Sequence, residues 1–325
     1  MSDTLVIGLD VGATSTRALV ASLTGDRLGT GRAGGGNPTA HGAEHAAAQL
    51  ATALGEALAG VDPALVRAGT IGLAGGGRLR ADPAGQAAFD RAWRGAGLRC
   101  PYAVVGDALV AYAAGTASPD GTVVIAGTGA IACDVRDLAL DRIADGHGWV
   151  LGDLGSGFWL GREAVRRTLH DLDAGRQPGP LGRAVLVDLL GSAAVAARPR
   201  ATVDTVVQVV TRRSPVELAR LAPLVIDAYP ADPAAAAIVA AAAAHLADSV
   251  SRVRPAGASS PVVRGGGLLT ADTPLAAALG AALAERWPDA PLPVAGDGAA
   301  AAAWLAARPL LDPSAAPSLH ATLLP

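Results

Sequence analysis

Asp10 and the small residues after it are the first group in the chain able to do chemistry. An apolar run, Leu5 to Leu9, ends in Asp10; the turn Gly12-Ala13-Thr14-Ser15-Thr16 follows; a second apolar run, Ala18 to Leu23, leaves it. The pattern predicts strand, tight turn, strand. Glycine lets a backbone approach a bulky anion closely. Backbone N–H groups and the hydroxyls of Thr14, Ser15 and Thr16 then suit phosphate oxygens. Asp10 suits a Mg²⁺ ion held through water, because that ion takes few carboxylates and keeps much of its hydration. The same residues also suit an ordinary hairpin.

Similar turns recur, each after a predicted strand: Gly75-Gly76-Gly77, Gly106-Asp107, Gly127-Thr128-Gly129 and Gly265-Gly266-Gly267. Ligands of open α/β sheets sit beyond the carboxyl ends of the strands, so these turns are expected to converge on one cleft between two halves. Several polar residues near the turns have a structural alternative. Asp107 suits the N-cap of a helix over Ala108 to Ala114. Asn37 suits the end of a glycine-rich loop before Pro38. Asp153 suits a cap on the segment entering a helix at Phe158, and His147 a solvated loop.

The elements that must position these residues follow from periodicity and punctuation. Strands are expected over Leu28 to Arg32, Ala68 to Ala74 and Tyr102 to Val105, with helices over Ala43 to Ala59 and Pro83 to Gly95. The order is βββαβαβα. It begins again with strands at Thr122 to Ala126 and Ile131 to Val135, a loop from Asp145 to Gly157 and a helix from Phe158 to Leu172. A helical block, Leu181 to about Arg252, is punctuated by Pro199, Pro215, Pro223 and Pro233. Strand Pro261 to Arg264, helix Pro274 to Arg286, strand Leu292 to Ala295 and helix Gly298 to Ala307 complete the series. Pro309 to Pro325 is expected to be a surface tail. The chain thus reads as α/β, a duplicated βββαβαβ with a helical insertion at about 158–255 in the second copy. The domains are 1–117 and 118–325.

Composition narrows the class. Hydrophobic residues make up 51% and charged residues 17%, enough for a sizeable core over 325 residues. The net charge of −3, with arginine and no lysine, gives no basic footprint for nucleic acid. Pro233 to Ala244 is apolar but short, and reads as a buried helix, not a membrane span. No charged and apolar leader opens the sequence, so a cytoplasmic location is expected. Cys100 and Cys133 are expected to be buried free thiols, and no CxxC or His/Cys cluster suggests structural zinc.

Five stretches together resemble the sugar kinase/Hsp70/actin superfamily: Gly8 to Thr14, Gly72 to Gly77, Gly106 to Ala108, Gly127 to Gly129 and Gly148 to Gly161. Within it they are similar to the branch of N-acetylglucosamine kinase, glucosamine kinase and the BadF/BadG/BcrA/BcrD ATPases. The last stretch is close to a family pattern, GDEGSGxWxG. The resemblance implies two actin-like ATPase domains of ribonuclease H-like fold, with ATP and Mg²⁺ as cofactors. It places Asp10, Gly12, Ala13, Thr14, Thr128 and Gly129 on the nucleotide phosphates and Gly265, Gly266 and Gly267 on the adenosine. It makes Asp107 the catalytic base and puts Asn37, Asp107, Thr128, Gly146, His147 and Asp153 around the sugar. Two positions depart from the pattern: Leu154 stands where Glu is usual, and His147 near a usual Trp.

The activity implied is phosphorylation of the 6-hydroxyl of an amino sugar, N-acetylglucosamine ahead of glucosamine and glucose, by a homodimeric enzyme. Two alternatives are a BadF-type activator ATPase, which needs paired cysteines on an iron–sulfur cluster, and a non-catalytic sensor with the same fold.

Overall fold

The computed structural model describes residues 4–325 apart from 77, 78 and 80. Gly77, the end of one predicted turn, lies outside the described residues. Two compact units emerge, one of residues 1–123, 135–140 and 293–325, the other of 124–134 and 141–292. The end of the chain therefore belongs to the first unit.

The first unit holds a five-stranded sheet. Its strands are β1 (Leu5–Val11), β2 (Ser15–Ser22), β3 (Arg27–Gly34), β4 (Val66–Leu73) and β5 (Tyr102–Gly106), in the order β3-β2-β1-β4-β5. β2 runs antiparallel to β1 and to β3; β4 is parallel to β1 and β5 to β4. β1 is central, and a strand covered on both faces needs a continuous apolar run, which LVIGLDV supplies. Parallel returns need crossovers, provided by helices Ala43–Ala57 and Pro83–Gly95. Helix Gly298–Ala307, mostly alanine, packs on β1 so closely that a Cβ on Gly8 would overlap Ala299 O and Ala303 N. Glycine in the strand and alanine in the helix thus set the distance between them.

The expected surface tail is instead partly helical. Helix Ala316–Leu323 buries Leu319, His320 and Leu323. The Trp304 indole donates to Ala316 O at 2.8 Å, and the His320 ring lies edge-on to Trp304.

A second sheet has the order β8-β7-β6-β9, from β6 (Gly121–Ala126), β7 (Ala130–Arg136), β8 (Ala139–Asp145) and β9 (Val262–Gly265). This repeats the first four places of the first sheet. β8 is missing from the sequence reading because most of this edge strand is exposed and carries no clear apolar alternation. The strand expected over Leu292 to Ala295 is reduced to one bridge residue, Val294. Pro291 and Pro293 precede it, and proline has no N–H to give a ladder.

Helices fill the insertion. Prolines 199, 215, 223 and 233 stand in the first turns of their elements, where a missing N–H is harmless. Helix Pro233–Val253 is long and apolar enough to cross a membrane by composition alone. It packs on helices Gly157–Asp173 and Pro274–Arg286 and buries Ile238, Val239, Leu246 and Val250, as a core helix does.

Candidate functional site

Each unit carries its own cluster of predicted site residues. In the first unit Asp10 stands near the end of β1, paired with Arg17 on β2 and Gly72 on β4. Its carboxyl packs on the first turn of helix Gly298–Ala307, where a Cβ on Gly298 would stand 2.6 Å from Asp10 Oδ2. Burial, reinforced by Asp107 and Asp297 against the opposing field of Arg17, pushes the Asp10 carboxyl up to about 6.

Asp107 begins helix Asp107–Ala113 directly after β5. The N-cap position of that helix is Gly106, and Asp107 is its first helical residue. Its Oδ1 accepts from Ala108 N at 3.0 Å. Burial raises its pKa, with the backbone N–H groups of Ala108 and Asp107 acting the other way.

The turn between β1 and β2 is closed by Gly12 N donating to Ser15 O at 2.9 Å. Ala13 and Thr14 are exposed at its tip. Thr16 is not available to a phosphate: it is buried, and its hydroxyl donates to Gly34 O at 2.9 Å. Asn37 caps the short helix Pro38–His41, accepting from Thr39 N at 2.8 Å. The Asn37 carboxamide lies against Gly75, in the turn after β4.

In the second unit Gly127-Thr128-Gly129 joins β6 to β7. Gly127 O and Thr128 O accept from Gly157 N and Phe158 N at 2.8 and 3.1 Å, so helix Gly157–Asp173 is seated on this turn. Thr128 is exposed at the tip. Asp153 is buried, holds a left-handed backbone with φ +58°, and accepts from Ala130 N at 3.0 Å. A Cβ on Gly129 would stand 2.8 Å from Asp153 Oδ1. Burial raises the Asp153 pKa; the Ala130 N–H opposes it, Asp145 adds to it and His147 opposes it. His147 is exposed, yet near enough to Asp153 to act on its charge. The N-cap of helix Gly157–Asp173 is Ser156, not Asp153. Gly146, with φ +70°, donates to Ala130 O at 3.0 Å.

Gly265 ends β9, Gly267 opens a short helix, and Gly266 between them has φ +83°. A Cβ on Gly266 would overlap the Ala126 backbone at the end of β6, so only glycine fits. Trp159 is buried edge-on to His245, a packing role. Trp149 is 41% exposed beside the Phe158 ring. Cys133 is buried in β7 and Cys100 half-buried before β5.

Sequence reasoning missed two aspartates. Asp297 caps helix Gly298–Ala307 through Ala299 N and Ala300 N and pairs with Arg27. Burial raises its pKa, but Arg27 and the helix N–H groups outweigh that and hold it low. Its signal is an Asp before a run of helix formers. Asp145 closes β8, accepting from Asp153 N and Leu154 N; its signal, an Asp before Gly146, is weak.

Among the described residues no three His, Cys, Asp or Glu side chains converge as a metal cage. Mg²⁺ needs none, since one carboxylate, waters and phosphate oxygens satisfy it. The donor chemistry fits: Asp10 is a hard oxygen ligand in a negative field that a cation would relieve. A cavity of about 760 Å³ beside helix Pro83–Gly95 and β5, lined by Asp90, Arg94 and Tyr102, contains none of these residues.

The sequence profile of the BadF/BadG/BcrA/BcrD ATPase family matches residues 7–303. The chain belongs to that family. The match to this ATPase family spans the Asp10 turn, Asp107, the Gly127–Gly129 turn, Asp153 and the glycines after β9. The chain has no significant sequence match among curated proteins. Solved structures carry the likeness of fold further. A candidate N-acetylglucosamine kinase of Chromobacterium violaceum is 25% identical, with a TM-score of 0.71 over 94% of this chain and 99% of that one. A second such candidate, from Porphyromonas gingivalis, is 22% identical, with a TM-score of 0.64 over 91% and 95%. A ROK family glucokinase from Streptomyces griseus, solved with glucose and AMPPNP, is 24% identical, with a TM-score of 0.55 over 94% and 99%.

Proposed function

We propose that this BadF/BadG/BcrA/BcrD family member is an ATP-dependent sugar kinase. It transfers the γ-phosphoryl group to the 6-hydroxyl of an amino sugar, N-acetylglucosamine first, then glucosamine or glucose. The observation that carries the reading is the Asp10–Asp107 pair, two carboxylates raised by burial at the carboxyl ends of β1 and β5. Perturbed carboxylates at strand ends are where a general base and a metal ligand are expected. The likeness to the Chromobacterium protein supports a sugar as acceptor.

Phosphoryl transfer needs positioning and charge neutralisation more than covalent help from the protein. Asp107 accepts the proton of the attacking 6-hydroxyl, and its raised pKa makes it a stronger base than an ordinary carboxylate. The sugar oxygen bonds to the γ-phosphorus as the bond to the ADP oxygen breaks. Gly12, Ala13, Thr14, Thr128 and Gly129 are assigned to the phosphate oxygens, through backbone N–H groups and hydroxyls. Asp10 would hold Mg²⁺ through water. When bound with the nucleotide, that ion neutralises charge on the β- and γ-phosphoryl oxygens. Asn37, Gly146, His147 and Asp153 are assigned to the sugar, and Gly265 to Gly267 to the adenosine. The complete burial of Cys133 in β7 disfavours the activator reading, which needs accessible cluster ligands.

The test is ADP formation over a panel of hexoses and amino sugars. A rise with N-acetylglucosamine above the other sugars is expected. ADP formation that no sugar increases would contradict the proposal.

A further inference from the structure

Asp145 is absent from the roles assigned above, yet its side chain bonds the Asp153 backbone directly. It ends β8, is buried, and holds a left-handed backbone at φ +61°. Its Oδ1 accepts from Asp153 N at 2.7 Å and its Oδ2 from Leu154 N at 3.0 Å. One carboxylate thus satisfies two successive backbone donors. Its seat is cut to measure, since a Cβ on Gly152 would overlap Oδ1.

The connection continues from Asp153. Asp153 is itself left-handed, at φ +58°, and its Oδ1 accepts from Ala130 N at 3.0 Å. Ala130 O in turn accepts from Gly146 N at 3.0 Å. Both ends of segment 146–153 are therefore fastened to the first residue of β7, directly after Gly127-Thr128-Gly129. Two non-glycine residues in a disfavoured conformation flank one short segment. Such strain persists only where the surroundings over-determine it, and it concentrates at functional sites.

We infer that Asp145 is a positioning residue: its carboxylate grips the backbone N–H groups of Asp153 and Leu154 and so holds the Asp153 carboxylate against Ala130, aimed for a sugar hydroxyl. The sugar contact of Asp153 rests on the kinase reading above; the grip itself does not.

Asp145→Gly and Asp145→Asn test it. Glycine adopts φ +61° without strain, so Asp145→Gly removes the carboxylate while easing the backbone. Asparagine also tolerates this conformation and keeps one acceptor oxygen. Losing two hydrogen bonds to a buried carboxylate is expected to raise the sugar KM roughly tenfold or more in Asp145→Gly. Asp145→Asn should fall between it and the wild type, with the ATP KM within about twofold in both. Hydrogen exchange provides a readout that needs no substrate. The Ala130 amide, which Asp145 does not touch, should exchange faster in Asp145→Gly together with those of Asp153 and Leu154. A wild-type sugar KM in Asp145→Gly, or an equal rise in both KM values, would overturn the inference. If the wild-type protein shows no sugar-dependent turnover, the kinase reading fails and exchange alone decides: faster exchange at Ala130 upholds the positioning role, and unchanged exchange there removes it.

Discussion

Asp10→Asn should stabilise the protein at neutral pH while disabling it. The Asp10 carboxyl is raised from 3.8 to about 6, first by burial and then by Asp107 and Asp297. A raised folded pKa means that folding favours the protonated form. Below the unfolded value the carboxyl is protonated in both states and there is no penalty. As pH rises through the folded value, keeping the carboxylate ionised comes to cost the native state about 3 kcal/mol. Asparagine has nearly the same shape and no charge. The stability of Asp10→Asn relative to wild type should therefore grow from a small difference near pH 4 to about 3 kcal/mol above pH 7. Urea unfolding of both proteins across this range, without nucleotide or Mg²⁺, measures the difference. The slope with pH is the test, because any fixed packing effect of asparagine cancels from it. A difference that stays flat from about pH 4 to pH 7.5 would refute the reasoning, because it would mean that Asp10 keeps its ordinary pKa.

Two further outcomes follow from the first unit. Gly8→Ala places a Cβ into the backbone of helix Gly298–Ala307, and overpacking of this kind should cost ~3 kcal/mol in a thermal or urea melt. Because burial raises the Asp107 pKa from 3.8, and the base must be ionised to act, kcat/KM should fall on the acid side with a midpoint above the ordinary carboxylate range. A pH–rate profile with its acid limb at or below about 4 would contradict that environment.

Features with a local cause were legible in the sequence. β1 shows as an unbroken apolar run because it is covered on both faces, and Asp10 at its end stands out for the same reason. Helix starts were marked by prolines and by capping side chains, as at Thr273 before helix Pro274–Arg286. What escaped depends on distant partners. β8 is an exposed edge with no strong period. Helix Ala316–Leu323 is held by Trp304 and by a contact of the His320 ring with Ala113 O at 2.8 Å, which no window around residue 320 reveals. Thr16 looked like a phosphate ligand but serves Gly34 across the β2–β3 pair. Asp145 and Asp297 carry ordinary sequence surroundings. Their importance lies in the N–H groups and the arginine that the fold brings to them.

Phosphorus-31 NMR of a mixture of the protein, ATP, Mg²⁺ and N-acetylglucosamine separates phosphoryl transfer to the sugar from hydrolysis of ATP. A phosphomonoester signal coupled to the C6 protons of the sugar is expected, growing in step with ADP. Asp107→Asn is expected to lose nearly all of that signal, with ATP still bound. Inorganic phosphate as the only product, or turnover by Asp107→Asn near the wild-type rate, would contradict the proposed function.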